Sequence, residues 1–216
     1  MKKFLLVTCF VAISSLTFAQ TVKFGIKAGP NFSKLHTSFP NESEINLSSD
    51  TYTSFNAGVF ADIKLGKLSF QPAVNITGKG GKYNYIITDQ FGTPAGTSYG
   101  TSSFTFLQVP LNLVYHIPVG ASEVYFGAGP FFAFRIAHSG LDPDENTNDP
   151  YPFVKQVGSD EISTDAGING IAGFKFKNGL LLNINYDLGM VDIGKNNGDN
   201  SLKTTVIGLS LGYVFK

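Results

Sequence analysis

The strongest constraint on the fold lies at the end of the chain, in residues 204–216, TTVIGLSLGYVFK. Thr205, Ile207, Leu209, Leu211, Tyr213 and Phe215 alternate with Thr204, Val206, Gly208, Ser210, Gly212 and Val214. A strict period of two puts the two sets on opposite faces of one β-strand. One face is large and apolar; the other is small. Such a strand must lie against a core or against lipid, and its terminal aromatic pair suits the interface girdle of a membrane barrel.

The same alternation recurs upstream. Val22, Phe24, Ile26, Ala28 and Pro30 oppose Lys23, Gly25, Lys27, Gly29 and Asn31, and Phe55, Ala57, Val59, Ala61 and Ile63 oppose Asn56, Gly58, Phe60, Asp62 and Lys64. Phe70, Pro72, Val74 and Ile76 oppose Ser69, Gln71, Ala73, Asn75 and Thr77. Leu107, Val109, Leu111, Leu113 and Tyr115 alternate with Gln108, Pro110, Asn112, Val114 and His116. Val124, Phe126, Ala128, Phe132, Phe134 and Ile136 then oppose Tyr125, Gly127, Gly129, Phe131 and Arg135. Ile168, Ala172, Phe174 and Phe176 oppose Asp165, Gly167, Asn169, Gly173 and Lys175, and Leu180, Leu182, Ile184, Tyr186 and Leu188 oppose Asn183, Asn185, Asp187 and Gly189.

Eight strands result. Residues 33–53, 78–100, 139–162 and 194–201 read as long connections, and Leu65-Gly66-Lys67, residues 118–122 and Asn178-Gly179 as short ones. Asn-Gly predicts a two-residue type I′ turn. An even number of antiparallel strands, joined alternately by long and short connections, is the pattern of bacterial outer-membrane barrels with periplasmic short turns. The expected fold is therefore all-β, an eight-stranded antiparallel up-and-down transmembrane β-barrel with both termini in the periplasm. Pro72, Pro110 and Pro130 each lack a ladder donor and predict local bulges.

The opening MKKFLLVTCFVAISSLTFAQ has a basic start at Lys2 and Lys3, an apolar run and a small-residue cleavage pattern. Residues 1–19 are expected to be a secretory signal peptide and residues 20–216 the outer-membrane barrel domain. The apolar run falls short of the ~20 residues of a membrane helix. Cys9, the only cysteine, lies inside it, so the mature chain is expected to have no disulfide, thiolate metal site or cysteine nucleophile. Taking Lys2 and Lys3 from 16 basic side chains leaves 14 against 16 acidic ones, a balance that argues against nucleic acid as a partner.

Three stretches carry a family likeness: residues 25–33 (GIKAGPNFS), 106–115 (FLQVPLNLVY) and 125–130 (YFGAGP). With them, the chain resembles the PorT-like outer-membrane β-barrel proteins of Bacteroidota over nearly all of its mature length. The resemblance implies a cell outer-membrane location; some members support secretion or gliding. It supplies no catalytic motif.

The inward-facing polar set, by phase, is Lys23, Lys27, Asn56, Asp62, Lys64, Gln71, Asn75, Gln108, Asn112, Arg135, Asp165, Asn169, Lys175, Asn183, Asn185 and Asp187. An eight-strand barrel is only wide enough inside for side chains, so these charges are expected to pair into a salt-bridged plug rather than line a pore. Asp142, Asp144, Asn146 and Asn148 have alternating oxygen ligands as in a calcium loop, but Thr147 and Phe153 stand where that loop needs glycine and a bidentate glutamate. His36-Thr37-Ser38 with Glu42 and Glu44, and His138-Ser139, admit a hydrolase reading without any G-x-S-x-G stretch. Gly127-Ala128-Gly129 and the glycines of residues 78–81 lack the Lys-Ser/Thr of a phosphate loop and read as barrel glycines.

The sequence thus predicts an outer-membrane barrel with a structural or interaction role. It has no catalytic, cofactor or metal residues, and its expected partners are outer-membrane lipid and a protein or surface ligand at the external loops. Two alternatives stay open. A soluble secreted lipocalin-like ligand-binding barrel would turn the large apolar faces inward, and an outer-membrane lipid hydrolase would need a catalytic group on a rigid strand end.

Overall fold

The computed structural model describes residues 21–39, 45–88, 94–140, 164–193 and 201–215. They form β1 (Thr21–Phe39), β2 (Ile45–Ser48), β3 (Asp50–Leu65), β4 (Leu68–Thr88), β5 (Pro94–Val119), β6 (Ser122–Gly140), β7 (Thr164–Lys175), β8 (Leu180–Gly189) and β9 (Ser201–Val214). The strands are antiparallel in the order β2-β1-β3-β4-β5-β6-β7-β8-β9, and β1 also pairs with β9 to close the sheet. β2 and β3 are one stave broken at Ser49, where Ser49 N donates to the Leu35 carbonyl at 2.9 Å and Leu35 N donates to Ser49 Oγ at 2.8 Å. The barrel therefore has eight staves and no free edge, the closure that lets strands cross lipid with every ladder satisfied. Among the described residues no helix is long and apolar enough to cross a membrane.

The period of two decides the two surfaces. Phe24, Leu211, Leu209, Val59 and Phe134 are exposed on the outside, while Val206, Thr204 and Asn31 are buried within. That orientation overturns the lipocalin-like arrangement, which needed the large apolar faces inside. Along β1 the apolar side chains run from Val22 to Phe32, and the next outward residues are Lys34 and His36. The ten steps from Val22 to Phe32, at about 3.3 Å each and tilted by about 40°, rise about 25 Å, the height of the apolar band of an outer-membrane barrel. Tyr115–Phe126, Phe174–Phe176 and Tyr213–Phe215 ring pairs, with centroids 5.8, 4.8 and 5.6 Å apart, lie around the short-turn end.

The turns correct one expectation. Leu65 pairs with Leu68 and Val119 with Ser122, so Gly66 and Gly120, at φ 67° and 61°, open two-residue connections. At the third, however, Phe176 N donates to the Leu180 carbonyl and Gly179 N to the Phe176 carbonyl. This is a three-residue connection with Gly179 at φ 94°, the turn-plus-bulge arrangement, rather than the two-residue type I′ turn predicted from Asn178-Gly179.

Prolines are also quieter than predicted. Pairing lapses beside Pro72 and Pro110, and at Pro130 on its β5 side, as expected of missing donors, but the register resumes unchanged without a bulge, and β6 pairs with β7 continuously through Pro130. Actual register shifts fall between Thr51 and Asn56, between Thr105 and Phe106, and between Ile87 and Thr88. A missing donor costs one bond, whereas a shift would turn a whole apolar face inward.

Two of the four long connections, 33–53 and 78–100, are largely strand among the described residues. Residues 33–39 and 45–53 continue the barrel wall, and residues 78–88 pair with 94–105 in a hairpin arm that extends the wall beyond the apolar band. Eleven residues of strand make this arm about 35 Å long.

Candidate functional site

Two places can carry function: the lumen and the rim at its long-connection end. The lumen is filled by a small-against-large arrangement in which inward glycines face bulky partners across the ladder. Gly25 is opposite Phe60, Gly58 opposite Asn75 and Gly173 opposite Tyr125. A Cβ at any of the three glycines would collide with its partner's side chain. Small barrels fill their taper in this way.

At the rim end the plug is apolar. Leu35, Phe104, Phe106, Phe131, Ala133, Ile193 and Leu202 form one buried cluster. Beneath it Lys79, from β4, crosses to Asp165 of β7, Nζ to Oδ2 at 2.8 Å, with both side chains fully buried. Thr204 Oγ1 donates to the same carboxylate oxygen at 2.8 Å. The ammonium is also 4.5 Å from the Phe131 ring centroid and 5.3 Å from that of Phe106. The rings replace part of the lost hydration by cation–π attraction.

Amides occupy the middle. Ser210 Oγ donates to Asn56 Oδ1, Asn56 Nδ2 to Asn31 Oδ1 and Asn31 Nδ2 to Thr77 Oγ1, at 2.9, 2.6 and 2.7 Å. On the opposite wall Asn112 Nδ2 donates to Asn169 Oδ1 at 2.7 Å, and Asp187 accepts from Asn169 and from Gln108, the latter at 2.9 Å. Two small cavities beside Lys27, each about 10 Å³, have room for about one water molecule.

Glu123 gathers the charges of the short-turn end. Lys64 and Lys175 each approach it at 2.8 Å, and His116 Nδ1 lies 3.1 Å away. On its other side, His116 Nε2 is 2.8 Å from Ser69 Oγ and 3.6 Å from Asp62 Oδ1. Serine, imidazole and carboxylate are thus aligned as in a hydrolase relay. Yet Ser69 is wholly buried and Glu123 is held by two lysines. The geometry gives a substrate carbonyl no approach to that hydroxyl, and it serves as a tie between β4, β5 and β6. Tyr125 closes this end, donating to Asn183 Oδ1 at 3.0 Å, with Phe60, Leu181 and Val214 beside it.

The predicted inward set does face inward, but most of it forms hydrogen-bonded amide chains, and the salt-bridged plug is confined to two places. Sequence phase missed Lys79, hidden among Gly78, Gly80 and Gly81, and Glu123, left between the 118–122 turn and the strand that starts at Val124. Continuing the β4 alternation past Thr77 would have found the first. Of the hydrolase candidates, His36 is exposed on the outer face of β1. Glu42 and Glu44 lie outside the described residues, as do Asp142, Asp144, Asn146, Asn148 and the His138 side chain. Among the described residues no group of three or more His, Cys, Asp or Glu could hold a metal ion.

Comparison with known proteins agrees with this architecture. The family model described as outer membrane protein beta-barrel domain matches residues 18–194. No curated protein matches the chain. Among solved structures, the outer membrane protein OprG from Pseudomonas aeruginosa is similar at 13% identity and a TM-score of 0.53, over 91% of this chain and 97% of that one. Ail of Yersinia pestis, in complex with the heparin analogue sucrose octasulfate, is also 13% identical, with a TM-score of 0.44 over 90% of this chain and 99% of that one. Neisserial surface protein A has the same identity, TM-score and coverage. The likeness to OprG is one of fold.

Proposed function

The chain belongs to the outer membrane protein beta-barrel domain family, and from that premise we propose a closed, non-conducting and non-catalytic barrel that meets a protein or surface ligand at its external rim. The filled lumen carries this reading: apolar cap, buried ion pair, amide chains and Glu123 cluster succeed one another along the axis. With the short turns in the periplasm, as in bacterial outer-membrane barrels, the β4–β5 arm, the end of β6 and the start of β7 face outside. Rigid scaffolds commonly display binding residues on such segments. The motifs at residues 25–33, 106–115 and 125–130 support the finer affiliation with PorT-like proteins of Bacteroidota, and residues 1–19 are the proposed signal peptide. The working partners are outer-membrane lipid and the rim ligand, without a cofactor.

Replacing residues 141–162 by a short turn tests the reading. The trimmed protein should still run faster on gels unheated than boiled, as a closed barrel does, yet lose the partner crosslinked by the full chain in intact cells. Retention of that crosslink, or steady conductance by the purified full chain in a planar bilayer, would move function to the interior.

A further inference from the structure

The outer wall at the β1–β9 seam changes character over a few residues. Phe32 is opposite Ile207, Lys34 opposite Thr205 and His36 opposite Lys203. All three basic side chains, Lys34, His36 and Lys203, are exposed on the outer face, directly beyond the apolar band. None has a hydrogen-bond or ion-pair partner among the described residues. On β9 the residue opposite Lys34 is Thr205, not a carboxylate.

Lower on the same wall is a hollow. Ala28 and Pro30 of β1 and Ala172 of β7 are short beside Phe174, Ile184 and Leu209, leaving an apolar groove of about 490 Å³ across β7, β8, β9 and β1. Register relates the groove to the basic patch. Ala28 and Lys34 are six residues apart on one strand, about 20 Å along it and, at a tilt of about 40°, about 15 Å along the membrane normal. One leaflet of a hydrocarbon core about 30 Å thick has that depth.

We propose that the β1–β9 seam is a binding site for an outer-leaflet lipid with a phosphate-bearing headgroup. Lys34, Lys203 and His36 receive the phosphate, and an acyl chain descends into the groove at Ala28 and Leu209. Charge complementarity selects the headgroup, and the groove selects a lipid over a free phosphate. The site rests on the orientation with periplasmic short turns taken above.

Native mass spectrometry of the full chain, released from nanodiscs of phosphatidylcholine doped with bisphosphorylated lipid A, tests the site. The wild type should retain lipid A, and both dephosphorylated lipid A and Lys34→Ala/Lys203→Ala should lower retention about thirtyfold, the effect of about two lysines near a charged surface. Lys67→Ala/Lys177→Ala, an equal charge loss at the exposed short-turn end, should retain lipid A as wild type does. Equal loss in that control would show bulk charge attraction and overturn the site. Ala28→Phe, which fills the groove and leaves every charge in place, should also release the lipid. Unchanged retention by Ala28→Phe, or displacement of lipid A by inorganic phosphate alone, would overturn the acyl arm. Unheated gel mobility identifies any variant that has not closed its barrel, and the matched control then still decides the headgroup arm.

Discussion

The two ends of the lumen hold charge in opposite ways. Near the rim, Lys79 and Asp165 form a dry pair, both side chains wholly buried beneath aromatic rings. At the short-turn end Glu123 is shared by Lys64, Lys175 and His116, and its side chain keeps 26% of its exposure. A desolvated pair depends on its one partner, because a charge left alone there has neither water nor counter-ion. A partly hydrated cluster has several partners and solvent besides, so losing one member costs little. The first arrangement fixes the width between β4 and β7; the second tolerates rearrangement.

The largest test of this contrast is Asp165→Leu, which should destabilise the barrel by about 3 to 5 kcal/mol, read from urea unfolding in lipid vesicles. Lys79→Met/Asp165→Leu should recover most of that loss, since no charge is left dry. If the double variant is as unstable as the single one, the pair is not what distinguishes this end.

A smaller effect separates the aromatic neighbours. Phe131→Leu removes a ring over the Lys79 ammonium as well as packing volume, for about 2 kcal/mol or more. Phe60→Leu, buried at the other end with no such cation over its ring, should cost about 1 kcal/mol from repacking alone. Equal losses would remove the cation–π contribution from the account.

The smallest effect belongs to Glu123→Gln, about 1 kcal/mol or less. It should vanish in about 1 M salt, where the Debye length falls to about 3 Å, whereas the penalty of Asp165→Leu should persist. Salt-independent loss at Glu123 would mean that its cluster is as dry as the Lys79 pair.

Within the lipid, the fold was legible because one apolar residue in two is forced on a stave that touches hydrocarbon. Ile207, Leu209 and Leu211 declare their face by spacing alone. Above the lipid that pressure disappears, so residues 78–100, rich in Gly, Thr and Tyr, read as a long connection although 78–88 and 94–100 are strand. The lumen was half legible. Phase gives direction but not partners, and Lys79 meets Asp165 across 86 positions of sequence, by virtue of closure. The turn at Asn178-Gly179 departs from its dipeptide signal because its length is set by the bonds of Phe176, two residues before the asparagine.

The height of the wall sets how anything outside can approach. Among the described residues β4, β5 and β6 have 21, 26 and 19 residues, whereas β7, β8 and β9 have 12, 10 and 14. Inside the bilayer a cylinder of eight like staves offers nearly the same face at every azimuth. Above it, among the described residues, the hairpin of β4 and β5 stands out from the wall like a parapet. The paired arm of β4 and β5 therefore gives the protein a marked side, which the buried cylinder lacks.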